Sequence, residues 1–380
     1  MFPVIHHIKD LLPFVIDNKQ IRAKVCEETG LTIVSYMVQD EDTFTGKNAK
    51  YEAECRGITF HPDGTVAART LHKFFNIGQR EDVQPDSMRW QDVTTIMPKR
   101  DGSMVTPVLI DRIRQTWRMK TKKSFTTKEA ALAEEVARAK TGGSNWIVHV
   151  LEAQYTPTFE ITSKRYPIVL KYETDELWLL AIRHNATGRY LEQDEIDQRF
   201  PYCPFPMVPD LKAEFTGEGV PANLVSWDKL HKFAMEATMT EGLVIRFGQE
   251  LVKLKTKWYC DLHHAVTFTT KRAVARAVLA DRSDDLKAAF ALSGRDPQSI
   301  IDVEDQINRE INVVRNAVEA HAENGHGLQR TAKDMALAFK DHELFSLVMA
   351  EFRGKEIHWF DWYLKNHISE WSLEVIDGLD

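Results

Sequence analysis

Along the first two thirds of the chain, short apolar runs are broken every few residues by polar turns. The runs at residues 31–36, 58–60, 65–70, 147–151, 168–172, 177–183 and 243–247 are rich in β-branched and aromatic residues, which predicts strands. His61-Pro62-Asp63-Gly64 is a turn signal, so 58–60 and 65–70 read as a hairpin. Residues 128–140 are rich in alanine and glutamate and read as a helix. Residues 226–235 read as another, opened by an N-cap serine and an acidic first turn. Strands and helices do not alternate as a regular βαβ repeat, which predicts an α+β fold rather than a doubly wound one.

Beyond about residue 261 the period changes. Strand runs stop, and 271–279, 284–292, 300–321, 329–352 and 355–371 read as helices. Ile300, Val303, Ile307, Ile311, Val314 and Val318 recur at three- and four-residue steps, marking one apolar face. Trp359, Phe360, Trp362, Tyr363 and Trp371 thicken the last helix. The change places a domain boundary at 260–265, with a mixed domain over 1–260 and an all-helical one over 261–380.

Composition narrows the class. A chain of 380 residues suits two cores. Hydrophobic residues at 43% and charged residues at 28% are ordinary for a soluble protein. No run approaches the ~20 apolar residues of a membrane span, and Pro3, Lys9, Asp10 and Pro13 break the opening segment, so neither membrane insertion nor a secretory leader is expected. The net charge of −7 means that any nucleic-acid contact must come from a local patch. Cys26, Cys55, Cys203 and Cys260 show neither zinc nor redox spacing, and a reducing cytoplasm fits them. The histidines, His263-His264 included, show no metal spacing.

Lys99-Arg100-Asp101-Gly102-Ser103, after the apolar-leaning run 93–97, offers a lysine able to act as a covalent nucleophile once it loses its proton. Nearby positive charge would favour that loss. Lys253-Leu254-Lys255 would supply it, because residues two apart in a strand point to one face. The same pair would suit a triphosphate, and equally a solvated strand edge. The stretch 112–123 holds six basic residues and no acidic one. Within it Arg118, Lys120 and Lys122 would share a strand face opposite Trp117, Met119 and Thr121, as a stripe for nucleotide or RNA phosphates or a solvated ribbon. Glu160 and Glu241 open or interrupt apolar strands; grouped with Asp101 they could hold Mg²⁺, directly or through its waters. Arg56 and Lys73 add phosphate-binding groups before and after the hairpin.

Taken in order, Lys99-x-Asp101-Gly102-Ser103, Phe159-Glu160, Glu241-Gly242 with its apolar strand, and Lys253-Leu254-Lys255 resemble the motif set of covalent nucleotidyltransferases: DNA ligases, RNA ligases and capping enzymes. Glu54-Cys55-Arg56-Gly57, Lys73-Phe74-Phe75-Asn76 and Lys255-x-x-Trp258-Tyr259 look like the branch of phage-type RNA ligase 1, the tRNA-repair ligases. Ser283-Asp284-Asp285-Leu286-Lys287 is similar to that family as well. The resemblance is dense over residues 31–259 and thin beyond.

It implies an ATP-grasp-like nucleotidyltransferase domain of antiparallel sheets, then an all-α module that prefers tRNA. It implies an ATP-dependent ligase that joins RNA 5′-phosphate and 3′-hydroxyl ends through lysyl-AMP and adenylylated RNA. Lys99 would carry AMP. Arg56, Lys73 and Lys122 would bind nucleotide phosphates. Glu160 and Glu241 would contact ribose or the waters of Mg²⁺ (or Mn²⁺). Lys253 and Lys255 would grip the α-phosphate, and Asp101 and Gly102 would shape the pocket. Tyr36 falls where the family has a Ser-Tyr pair. RNA would run past Arg118, Lys120 and Lys122. The implied partner is a nicked tRNA anticodon loop, met by a monomer in the cytoplasm (a host's, if a phage encodes it). Pro98 departs from the pattern and removes a backbone donor beside the adenine. A DNA ligase, a capping-type nucleotidyltransferase and an inactive RNA-binding protein are the alternatives. The helical tail speaks against the first two, which usually carry an OB-fold there, and the complete motif set against the third.

Overall fold

The structure, a computed structural model, describes residues 2–37, 44–168, 170, 172–216, 224–260, 270–292 and 297–371. The chain divides into two compact units, Met1–Leu262 and His263–Asp380. The strands of the first are β1 (Ile21–Val25), β2 (Thr32–Tyr36), β3 (Arg56–Phe60), β4 (Val66–Ala68), β5 (Phe75–Asn76), β6 (Val93–Lys99), β7 (Ser103–Asp111), β8 (Thr116–Lys120), β9 (Tyr155–Thr162), β10 (Glu176–His184), β11 (Gly242–Phe247) and β12 (Glu250–Lys255). They form three four-stranded sheets, in the orders β1-β2-β3-β4, β10-β9-β7-β8 and β5-β12-β11-β6. These strand pairings are antiparallel except the short parallel contact of β5 with β12. The α+β architecture with antiparallel sheets is therefore present, and the 58–70 hairpin is β3–β4.

Two sheets are backed by the helices their apolar faces require. Trp117, Met119, Phe159 and Leu179 of the central sheet share a core with Ala133 and Ala137 of the helix Lys128–Ala139 and with Trp146, Ile147, Val150 and Leu151. Ile96, Leu243, Ile245, Val252 and Leu254 pack with Leu230 and Ala234 of the helix Trp227–Glu236, whose N-cap is Ser226.

Two strand expectations fail. Residues 147–151 belong to the helix Gly143–Glu152. Trp146, Ile147, Val150 and Leu151 are buried together because steps of one, three and four fall on one helix face. An apolar run this short does not separate the two periods. No strand occupies the described part of 168–172. Leu170 and Tyr172 instead turn inward on Asp101, and residues 169 and 171 lie outside the described residues.

In the second unit the described helices are Lys271–Leu279, Ser283–Leu292, Gln298–Gly327, Ala332–Phe339, Phe345–Phe352 and Trp359–Asn366. The longest buries Ile300, Val303, Ile307, Ile311 and Val318 of the stripe read from the sequence, while Val314 is only half-buried. The expected helix 329–352 is two helices, because the chain turns where His342 Nδ1 accepts from the Leu344 amide. Ser283 and Lys287 both bind the buried Glu304, so the 283–287 motif ties two helices together. His263-His264 fall outside the described residues.

Candidate active site

Lys99 is the last residue of β6, and the sheet register places it opposite Gly242, whose other neighbour is Lys255. Three strands thus bring the two lysines to one end of the sheet. Glu241, immediately before β11, reaches both: its Oε1 lies 2.6 Å from Lys99 Nζ and 3.3 Å from Lys255 Nζ. Glu241 and Lys255 are buried, whereas the Lys99 side chain remains 21% exposed and open to a reagent. Gly242 makes this approach feasible. Its φ is +146°, and a Cβ there would fall 2.1 Å from the Leu254 carbonyl oxygen.

Behind Lys99 the turn is locked. The buried Asp101 carboxylate accepts from the Tyr259 hydroxyl at 2.8 Å on Oδ1 and from the Leu170 amide at 2.6 Å on Oδ2. Its own amide donates to Tyr172 Oη. Gly102 lets β7 approach β9, since a Cβ would meet the Ile161 carbonyl oxygen at 2.4 Å. That contact carries Glu160, which pairs with Met104 across the two strands. Burial pushes the Glu160 carboxyl up to about 8; the pull of Lys99 and Arg56 opposes this, and the charges of Glu241 and Asp101 add to it. Lys99, Asp101, Glu160 and Glu241 therefore form one centre, joined on its flank by Arg56.

The cations expected to bind phosphate gather around aromatic rings. Arg56 and Lys253 lie 5.1 and 5.6 Å from the Phe74 ring centre. Lys122 and Lys73 lie 4.0 and 5.8 Å from that of Tyr36, and Lys73 lies 5.0 Å from Phe75. A cleft of about 770 Å³ reaches Lys73, Phe74 and Phe75 but is lined also by Phe247, Glu250 and Val252, so it opens toward the end of β11 and β12 away from Lys99, and neither Lys99, Glu160 nor Glu241 lines it.

Lys255 does come close to Lys99, and the structure adds a carboxylate between them, which the expected activation by like charge did not include. Both Asp101 oxygens accept hydrogen bonds from the protein, from Tyr259 and from Leu170. Arg118, Lys120 and Lys122 do not form a basic stripe. Arg118 is paired with Glu134 at 2.9 Å and Glu28 at 3.6 Å, β8 ends at Lys120, and Lys120 is fully buried. Burial pushes the Lys120 amine down to about 7.

Among the described residues no group of three or more His, Cys, Asp or Glu side chains is arranged to hold a metal. Two carboxylates, Glu160 and Glu241, nonetheless flank Lys99. That donor set fits Mg²⁺ or Mn²⁺, which take oxygen ligands; Mg²⁺ keeps several waters and binds through one or two carboxylates plus substrate phosphates.

Sequence reasoning gave no role to several residues. Glu54 is fully buried and bridges Arg69 (2.9 Å) and Arg183 (2.7 Å), partners distant in sequence that carry no local signal. This triad braces β3, on which Arg56 sits. The Arg100 guanidinium lies over Trp178, 3.7 Å from the ring centre, and Trp178 pairs with Glu160. Tyr259 was visible as part of a motif, but its partner Asp101 was not.

Comparison with known proteins points to one family. A family model described as RNA ligase matches residues 54–259. A protein of Thermovibrio ammonificans, provisionally named an RNA ligase, is 28% identical over 277 residues, covering 70% of this chain and 67% of its own length. RNA ligase 1 of bacteriophage TS2126 is 25% identical over 276 residues, covering 69% and 64%. The chain thus spans about two thirds of the length of these relatives. Among solved structures, an Aquifex aeolicus protein provisionally named an ATP-dependent DNA ligase aligns over 92% of this chain and 100% of its own, with a TM-score of 0.45 and 11% identity. An archaeal ATP-dependent RNA ligase aligns over 80% and 79%, with a TM-score of 0.43 and 12% identity. These two alignments are too distant to bear on function.

Proposed function

The chain belongs to the RNA ligase family, and from that premise we propose that it joins RNA 5′-phosphate to 3′-hydroxyl ends with ATP, through AMP carried on Lys99. The observation that carries this reading is the alignment of Lys99, Glu241 and Lys255 at the end of one sheet, with Glu160 facing them from the next.

Lys99 must lose a proton before its nitrogen can attack, and Glu241 Oε1 is the contact placed to take it. The nitrogen then bonds to the α-phosphorus of ATP as the bond to the bridging oxygen breaks, and pyrophosphate leaves. Catalysis of such a transfer rests on in-line placement and on stabilising spread charge. Lys255 and Lys253 approach the α-phosphate side, and Arg56, Lys73 and Lys122 meet the departing phosphates. Glu160 and Glu241 would hold Mg²⁺, which would offset charge on the phosphoryl oxygens. AMP next passes to an RNA 5′-phosphate oxygen, releasing the Lys99 nitrogen and forming a 5′-5′ pyrophosphate. A 3′-hydroxyl attacks the RNA phosphorus and AMP leaves. We assign the helical unit a preference for tRNA, with a cleaved anticodon loop as substrate and a monomer as the working form.

The test is incubation with α-labelled ATP or GTP and Mg²⁺, followed by nicked tRNA, linear RNA or nicked DNA. Label on Lys99 from ATP alone, passed to RNA, is expected. Lys99→Ala should form no adduct yet still join pre-adenylylated RNA. Label from GTP would favour a capping enzyme and transfer only to nicked DNA a DNA ligase. A covalent adduct in Lys99→Ala would overturn the assignment.

A further inference from the structure

Lys120 sits on the last position of β8 with its whole side chain out of solvent. Its Nζ donates to the Gly57 carbonyl at 2.7 Å and to the Thr121 carbonyl at 3.2 Å. No ion pair joins it among the described residues. A buried ammonium without a counter-ion is unfavourable, and hydrogen bonds from its protons are what offset this. An apolar side chain would fill the same space at lower cost, so the amine's function lies in what it holds.

Each carbonyl belongs to a neighbour of a phosphate-site cation. Gly57 follows Arg56, and Thr121 precedes Lys122. A third segment meets them: the Ser35 hydroxyl donates to the Lys122 carbonyl at 2.9 Å, and Ser35 precedes Tyr36, whose ring lies 4.0 Å from Lys122 Nζ. The junction is tight. At φ +96°, a Cβ on Gly57 would lie 2.5 Å from the Lys122 carbonyl oxygen and 2.9 Å from Lys120 Nζ.

We propose that Lys120 is a positioning residue that pins the backbones of Arg56 and Lys122 at the separation that grips the outer phosphates of ATP. The proposal rests on the ligase reading and assigns Lys120 a place inside the nucleotide site rather than on an RNA-facing surface. It reaches the nucleotide through its neighbours and does not touch it.

The experiment is adenylylation of the full chain, as single turnovers across ATP concentration, in Lys120→Met, Lys122→Ala, the double variant and Ser35→Ala. Lys120→Met keeps length and loses the donors. Its half-saturating ATP should rise about tenfold, with the saturated rate changed less than about threefold. Because Lys120 acts through Lys122 as well as through Arg56, the double variant should weaken ATP binding by clearly less than the product of the two single effects, a non-additive pair. Ser35→Ala should move half-saturation the same way by a smaller factor, and decides the matter if Lys120→Met does not fold. Unchanged half-saturation in the folded Met variant, or in Ser35→Ala if that variant cannot be made, overturns the proposal; so do effects that multiply in the double variant. If the unsubstituted chain forms no Lys99 adduct, the ligase reading fails instead, so the two failures are distinct.

Discussion

Lys99 Nζ and Glu241 Oε1 lie 2.6 Å apart, so the nucleophile rests on a carboxylate that it shares with Lys255. The sequence suggests lysines activating a lysine by like charge. The structure interposes an acid, which can accept a proton as well as hold the amine in line.

Glu241→Gln keeps the shape and removes the charge. Adenylylation at saturating ATP should fall by about 100-fold or more, as expected when a positioned proton acceptor is lost. The buried Lys255 would also lose the charge of this carboxylate, at up to roughly 3–5 kcal/mol of stability. Adding Lys255→Met should restore much of the melting temperature and none of the rate. A double variant that recovers the rate would show that Glu241 acts only by neutralising Lys255.

Gly242→Ala should disturb the same site from the backbone. A Cβ at φ +146° would strike the Leu254 carbonyl oxygen at 2.1 Å, with no flexible atom to move aside. We expect about 1–3 kcal/mol less stability in urea unfolding and slower adenylylation, since the rows carrying Lys99 and Lys255 would be pushed apart. Unaltered unfolding would mean that the strands can part there without penalty.

What could be read from residues alone follows the reach of each signal. β2, the β3–β4 hairpin, β10, β11 and the capped helix Trp227–Glu236 were legible because composition, turn and cap are local. The run 147–151 was misread because five apolar residues fit a strand and a helix face equally. Lys99, Asp101, Glu160 and Glu241 were named from ordered motifs, yet Asp101's engagement by Tyr259 and Leu170 depends on chain segments far apart. The misplacement of Lys120 has a related cause. Alternation predicts which side of a strand a residue takes, and it says nothing of what covers that side.

Tyr259→Phe isolates one of those distant contacts. It removes the hydroxyl that donates to Asp101 Oδ1 at 2.8 Å and leaves a buried carboxylate with one donor fewer. The expected loss is about 1–3 kcal/mol, read by urea unfolding, with slower adenylylation because Asp101 fixes the turn that follows Lys99. Full adenylylation despite the lost stability would confine Tyr259 to structure.

Glu54 supplies the pH test. Its burial favours the neutral acid, but Arg183 and Arg69 overcome this and hold the carboxyl at about 2, below its ordinary 4.5. The unfolded chain therefore takes up the proton first as pH falls. The stabilisation is complete above pH 4.5 and is lost progressively toward pH 2. By linkage it is on the order of 3 kcal/mol at neutral pH. Glu54→Gln leaves Arg69 and Arg183 buried without their anion, so it should destabilise the protein at pH 7 by about 3–5 kcal/mol. Below pH 4.5 the gap between the variant and the unsubstituted chain should narrow as the latter loses its own carboxylate. Urea midpoints measured from pH 7 to pH 3 give both curves. Parallel curves would show that Glu54 does not titrate on unfolding, and that the triad beneath Arg56 is held by packing rather than by charge.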